Sequence, residues 1–234
     1  MIGEVRPPGL LLSTLLLVGK DVRVELRAKE LVYATIFFAT VVLLVFAFAF
    51  WGGERPPVDV IAGVLWVTVT LAGTVGISRA FEREREGDTL RALMLSPAPR
   101  VAIYLSKLVA ITLLMAIVEI VAAALVSLLF QLDLTAGLPR LAGLLVLGTL
   151  GFGAVAALFG ASLGRARSRD VLLPLLTYPL VVPILIAGTR GTVALWRGDE
   201  AAIADFWLRF LLVFDVIFLL LGFWMFEPVT RGES

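Results

Sequence analysis

The sequence has no cysteine, no histidine and only three lysines, Lys20, Lys29 and Lys107. Without cysteine there is no disulfide, no thiol nucleophile and no zinc–thiolate site. Without histidine the chain lacks the commonest general base, the commonest transition-metal ligand and a usual axial ligand of haem. Metallo-enzyme, proton-relay and histidine-ligated haem chemistry all lose their best residue. The scarcity of lysine matters too, because a GxxxxGK[ST] phosphate loop needs one, and the Gly19-Lys20 pair is followed by Asp21. The chain does not bind and hydrolyse ATP by that route. Charge is also sparse: 17% of 234 residues are charged against 60% hydrophobic, and the net charge of +1 gives no argument for nucleic acid. With a mean hydropathy of +1.00 the chain reads as an integral membrane protein. Its length suits a single transmembrane domain, residues 1–234.

What the chain has in abundance is apolar runs. About 20 residues, rising about 1.5 Å each, cross a hydrocarbon core of about 30 Å. Six stretches qualify, at about 31–51, 58–78, 101–130, 141–163, 171–188 and 206–226. The earlier run Leu10 to Val18 is too short for a span, has no small-residue cleavage site behind it and meets Lys20, Asp21 and Arg23 at once, so it is not a signal peptide. Leu11, Leu15, Val18, Val22 and Leu26 form a stripe at helical spacing instead, with Lys20, Arg23 and Arg27 on another side and Glu25 between them. That pattern predicts an amphipathic elbow within residues 1–30, lying in the headgroup layer. The third span is long enough for its Lys107 to snorkel into water.

Orientation follows from the basic residues. With the N-terminus inside, fifteen lysines and arginines fall on the cytoplasmic side and five, Arg55, Arg140, Arg190, Arg197 and Arg209, fall outside. The bias places both termini in the cytoplasm.

The longest strongly charged piece, residues 79–100, then becomes a cytoplasmic loop between the second and third spans. Glu82, Arg83, Glu84, Arg85 and Glu86 mix both signs and belong in water or against another charged surface. After Gly87, Asp88 or Thr89 can cap a short helix in which Leu90, Leu93 and Met94 share a face, with Leu95 beside them and Pro97 and Pro99 as the stop. An apolar knob of about two turns, framed by charge, fits a socket on a partner protein. A solvated loop with an ordinary capped helix is the plainer reading of the same residues.

Three features inside the membrane depart from uniform apolar helix. The fourth span carries Gly148, Gly151, Gly153, Gly160 and Gly164, a composition suited to close packing within the bundle. The fifth carries Pro174, Pro179 and Pro183 and is expected to be kinked or broken. Two acids, Glu119 and Asp215, lie deep in the third and sixth spans, where an acid costs about 2.5 to 3.5 kcal/mol. With no lysine or arginine within about a turn, each must be protonated, bond a neighbouring helix or line a wet path. The two acids can occupy a shared region.

The order and spacing of several passages resemble the CcmB family over nearly the whole chain. They are Lys20-Asp-Val-Arg-Val-Glu-Leu-Arg27, Gly63-Val-Leu-Trp66 leading to Ser78-Arg-Ala-Phe-Glu-Arg-Glu84, Leu93-Met-Leu-Ser-Pro97, Ile103-Tyr-Leu-Ser-Lys-Leu108, Gly148-Thr-Leu-Gly-Phe-Gly153, Arg169-Asp-Val-Leu-Leu-Pro174 and Phe214-Asp-Val-Ile-Phe218. The resemblance implies an all-α membrane protein of the ABC-2 exporter type, with six spans, the elbow and a short cytoplasmic coupling helix. It also implies a bacterial inner-membrane complex of cytochrome c maturation, with a CcmA-like ATPase, CcmC, CcmD and, through them, the haem chaperone CcmE. Two copies per complex are expected from that architecture. ATP and magnesium then belong to the ATPase and haem to the partner subunits, with no cofactor, metal or catalytic residue in this chain. Two alternatives remain: an ABC-2 permease for another lipophilic cargo, and an ion-coupled secondary transporter using Glu119 and Asp215.

Overall fold

The computed structural model describes residues 9–27, 29–86, 99–135, 137–162 and 169–231. Within these, the side chains of 24–27, 78–86, 100, 160–162, 169–171, 173, 174 and 226–231 are not described. Among the described residues all regular structure is helical, in seven helices: α1 Leu10–Arg27, α2 Lys29–Ala49, α3 Val58–Glu86, α4 Arg100–Phe130, α5 Leu138–Ser162, α6 Arg169–Arg197 and α7 Ala201–Arg231. All but α1 contain a stretch long and apolar enough to cross a membrane, namely Lys29–Ala49, Val58–Ile77, Val101–Phe130, Leu138–Phe159, Leu175–Arg197 and Ala201–Met225. The protein is a multi-pass helical membrane protein.

Helix α2 shows how sequence spacing chooses a side. Leu31, Thr35, Ala39 and Leu43 are buried, whereas Tyr33, Phe37, Val41, Val45 and Phe48 face outward. Residues four apart stack on one face, so a single period sorts bundle from lipid. Two buried threonines are satisfied within their own helices: Thr35 Oγ1 donates to Leu31 O at 2.8 Å and Thr68 Oγ1 to Val64 O at 2.7 Å. Helices α3 and α5 are the most enclosed spans, α2 and α7 the least. Helix α5 packs on α4, α6 and α7, while α3 packs on α2, α4 and α6.

Glycine makes the tightest approaches. The indole of Trp66, on α3, lies against Gly148 of α5 and Gly188 of α6, where any Cβ would collide with the ring. Its Nε1 donates to Thr192 Oγ1 at 2.9 Å. Gly151 and Gly153 of α5 likewise meet α7 and α4, so these three α5 glycines pack inside the bundle as expected.

Two boundaries differ from expectation. Helix α3 does not end near residue 78 but runs on to Glu86, so the first half of the expected 79–100 loop is helix. Glu and Arg are good helix formers, and the Glu82/Arg85 and Arg83/Glu86 pairs stand at supporting spacing. Helix α6 is neither broken by Pro174, Pro179 and Pro183 nor finished at 188; it is one helix through Arg197. Where water is absent, a break would strand several backbone groups, so single gaps in the ladder cost less than an interruption.

Candidate functional site

The residues expected to act fall in three places. Along α1, the apolar Leu11, Leu12, Leu15 and Leu16 face outward, while Ser13 is buried and Leu17 packs towards the core. Two of the five residues of the expected stripe, Leu11 and Leu15, therefore point away from the bundle, as an interfacial elbow needs, while Val18 and Val22 are half-buried. Asp21 pairs with Lys20 at 2.8 Å and with Lys107 of α4 at 3.2 Å. Lys107 is only 7% exposed, so it does not snorkel as expected. Its stem lies in the α1–α4 contact and its ammonium is held by the elbow's acid, a pairing across 86 positions of sequence that no local spacing reveals. Arg23 is exposed, and Glu25 and Arg27 complete α1.

The charged segment is divided. Glu82, Arg83, Glu84 and Arg85 occupy the last turns of α3. Gly87, Asp88, Thr89, Leu90, Leu93, Met94, Leu95 and Pro97 lie outside the described residues, and the chain resumes before α4 at Pro99.

The two deep acids lie against the same helix but do not meet. Glu119 of α4 accepts a hydrogen bond from the hydroxyl of Thr149 on α5 and is 3% exposed. It borders a cavity of about 10 Å³, lined also by Trp66, Thr70, Met115 and Phe152, a space the size of one water molecule. Asp215 of α7 is 2% exposed, and neither carboxyl oxygen has a hydrogen-bond partner among the described residues. Its Oδ1 lies only 2.6 Å from where a Cβ on Gly151 would stand. Thr149 and Gly151 are two residues apart, about 3 Å along α5 and about 200° around it. The acids thus flank α5 at one depth from different sides, and the cavity beside Glu119 does not include Asp215. They do not form the shared site that their depth in sequence allowed. Among the described residues no cluster of three acids could hold a metal ion.

Sequence reasoning missed a third set, at the end of the bundle opposite the charged segment. Arg197 closing α6 pairs with Asp59 opening α3, and Arg140 Nε of α5 meets Asp205 Oδ1 of α7 at 2.8 Å. Arg55, between α2 and α3, donates through Nη2 to the carbonyls of Phe130 (2.6 Å) and Gln131 (2.5 Å) at the end of α4. These carbonyls belong to the last turn, where no intrahelical donor remains. Three of the five basic residues counted to the outer side are thus tied across helix ends. Their place on the outer side was legible; their partners were not.

Comparison with known proteins gives the family. Residues 12–229 match the family described as CcmB protein. Heme exporter protein B of Rhodobacter capsulatus is 32% identical over 179 residues, covering 74% of this chain and 79% of the relative. The protein of the same name from Pseudomonas aeruginosa is 28% identical over 195 residues (82% and 86%), and that from Bradyrhizobium diazoefficiens 28% over 201 residues (81% and 85%). The match runs from the elbow to the last turns of α7 and takes in the ion pair, the two acids and the outer clasps alike: the chain belongs to the CcmB family.

Proposed function

We propose that this chain is the haem-exporter permease subunit of an ABC-type complex in cytochrome c maturation. The observation that carries this reading is the family match across 12–229, joined to six helices able to span a membrane. In this reading the 1–234 chain is one transmembrane unit in the bacterial inner membrane, with both termini cytoplasmic, and it is not itself catalytic. A CcmA-like ATPase supplies ATP hydrolysis with its magnesium and docks on the segment from Glu82 to Pro97. CcmC, CcmD and CcmE handle the haem, and two copies of this chain serve two ATPase subunits. The absence of histidine and cysteine supports assigning haem ligation to the partners.

The mechanism that fits is transmission of movement. The proposed coupling segment joins α3 to α4, and both of these helices are hydrogen-bonded to the later half of the chain, α3 through Trp66 to Thr192 and α4 through Glu119 to Thr149. A push on the segment would therefore reach the later half of the chain through these two hydrogen bonds among other contacts. The ion-coupled alternative would have to use Glu119 and Asp215 as separate sites, since the two face different flanks of α5, and it loses its basis if Glu119→Gln with Asp215→Asn leaves activity unchanged.

The test is a pull-down in detergent of the wild type and of Leu93→Asp, with ATP turnover assayed on the recovered complex. The expected result is that the variant retains CcmC and inserts normally, while recovery of the ATPase falls at least about tenfold, as when a buried anchor of an interface is lost. Full ATPase recovery with Leu93→Asp overturns the docking assignment.

A further inference from the structure

The end of the bundle away from the charged segment holds a cleft of about 390 Å³ between the α2–α3 turn and the end of α4. Its walls are Ala47, Phe50, Trp51, Leu129, Phe130 and Gln131, with Gly52, Gly53 and Pro56 at the lip and Arg55 as the one charged side chain in the lining. That volume lies within the range of small-molecule sites. The wall is fixed before anything binds. Gln131 takes a left-handed conformation (φ 53°, ψ 45°), which glycine or asparagine adopts more readily, and its N–H donates to Ser127 O. Ser127 Oγ then donates to Leu132 O at 2.7 Å, and Arg55 fastens Phe130 O and Gln131 O from the other side.

Both of these bonds use Nη2. The Nε and Nη1 donors of Arg55 have no acceptor among the described residues, and the residue is exposed. A guanidinium with a free edge presents parallel N–H groups suited to phosphate. Beside it, Ala47 in the last turn of α2, Phe50 just past that helix, and Leu129 and Phe130 at the end of α4 line an apolar trough at the level of the helix ends. Trp51, 81% exposed at the end of α2, marks this level as the membrane–water boundary, where indole rings concentrate.

We propose that this cleft is a binding site for an anionic phospholipid. The phosphate sits on the free edge of Arg55 and one acyl chain lies along the Phe50–Phe130 trough. The one cation in the lining, with no acid paired to it among the described residues, favours a net negative head group over a zwitterionic one, and exposed Trp51 sets the cleft at head-group level.

The experiment is thermal unfolding of the purified full chain in a neutral detergent, titrated separately with phosphatidylglycerol, phosphatidylcholine and inorganic phosphate. Phosphatidylglycerol is expected to raise the Tm by on the order of 5 °C near saturation, with phosphatidylcholine and phosphate giving little. Arg55→Gln should abolish the shift. Because Arg55 also clasps α4, Gly53→Glu is the cleaner variant: a Cβ there meets nothing closer than Phe50 O at 3.8 Å, and the added carboxylate repels an anionic head. Arg140→Gln, which opens a clasp outside the cleft, should leave the shift intact. Equal shifts with phosphatidylglycerol and phosphatidylcholine, an equal shift with inorganic phosphate, or a full shift in Gly53→Glu each overturn the proposal.

Discussion

Glu119 meets α5 where a threonine offers a hydroxyl, beside a cavity that one water can fill; Asp215 meets the same helix two residues further on, where a glycine offers nothing. Both are almost wholly enclosed, and both read identically in the sequence as an acid in an apolar run. The difference lies in the neighbour. Thr149 ties α4 to α5 by a directed bond, while Gly151 lets α7 come close and offers the carboxyl no hydrogen-bond donor. Depth alone therefore says little about what a buried acid does; the residue facing it on the next helix decides.

That contrast can be broken most forcefully from the glycine. Gly151→Leu must displace Asp215 Oδ1, 2.6 Å from the new Cβ, and Ile184 Cδ1, 3.0 Å away. A loss of about 3 kcal/mol is expected in denaturant unfolding in micelles, at the upper end for overpacking. A cost under 1 kcal/mol would mean that α7 has room to retreat.

The acids themselves should respond with opposite signs. Asp215→Leu removes two oxygens without partners and is expected to stabilise by about 1 kcal/mol, whereas Glu119→Leu leaves the Thr149 hydroxyl without its acceptor and should destabilise by about 1 kcal/mol. Opposite signs in the paired unfolding measurement would sharpen the comparison, and equal signs would erase it. The smallest effect belongs at the outer rim. Arg197 and Asp59 are 52% and 41% exposed, so Asp59→Asn should cost no more than about 0.5 kcal/mol in the same assay.

Much of the scaffold was legible because a membrane span is a one-dimensional signal. All six spans were found, and the third matched at both ends, 101–130 against Val101–Phe130. The fifth was cut short because Gly188, Arg190 and the weaker hydropathy after them look like a loop, yet the residues to Arg197 are helical and Trp66 uses Gly188 as its seat. Of the two outcomes the three prolines allowed, a kink or a break, the break does not occur, because α6 runs through all of them. The candidate site was legible as residue types and illegible as partnerships. Lys107 with Asp21, Trp66 with Thr192 and Glu119 with Thr149 join residues 86, 126 and 30 positions apart, so only the packed bundle brings them together.

The unbroken run of α3 from Val58 to Glu86 also has a mechanical meaning. Its 29 residues make a rod of about 43 Å, longer than the hydrocarbon core by more than two turns. Trp66, wedged between the glycines of α5 and α6, divides that rod unequally, with about 30 Å on the Glu86 side and about 12 Å on the Val58 side. A tilt of about 10° about the wedge carries the Glu86 tip some 5 Å and the Val58 tip about 2 Å the other way. In the proposed coupling role the helix would have the proportions of a crowbar, exchanging a long stroke at the charged end for a shorter and stronger one at the Asp59–Arg197 clasp.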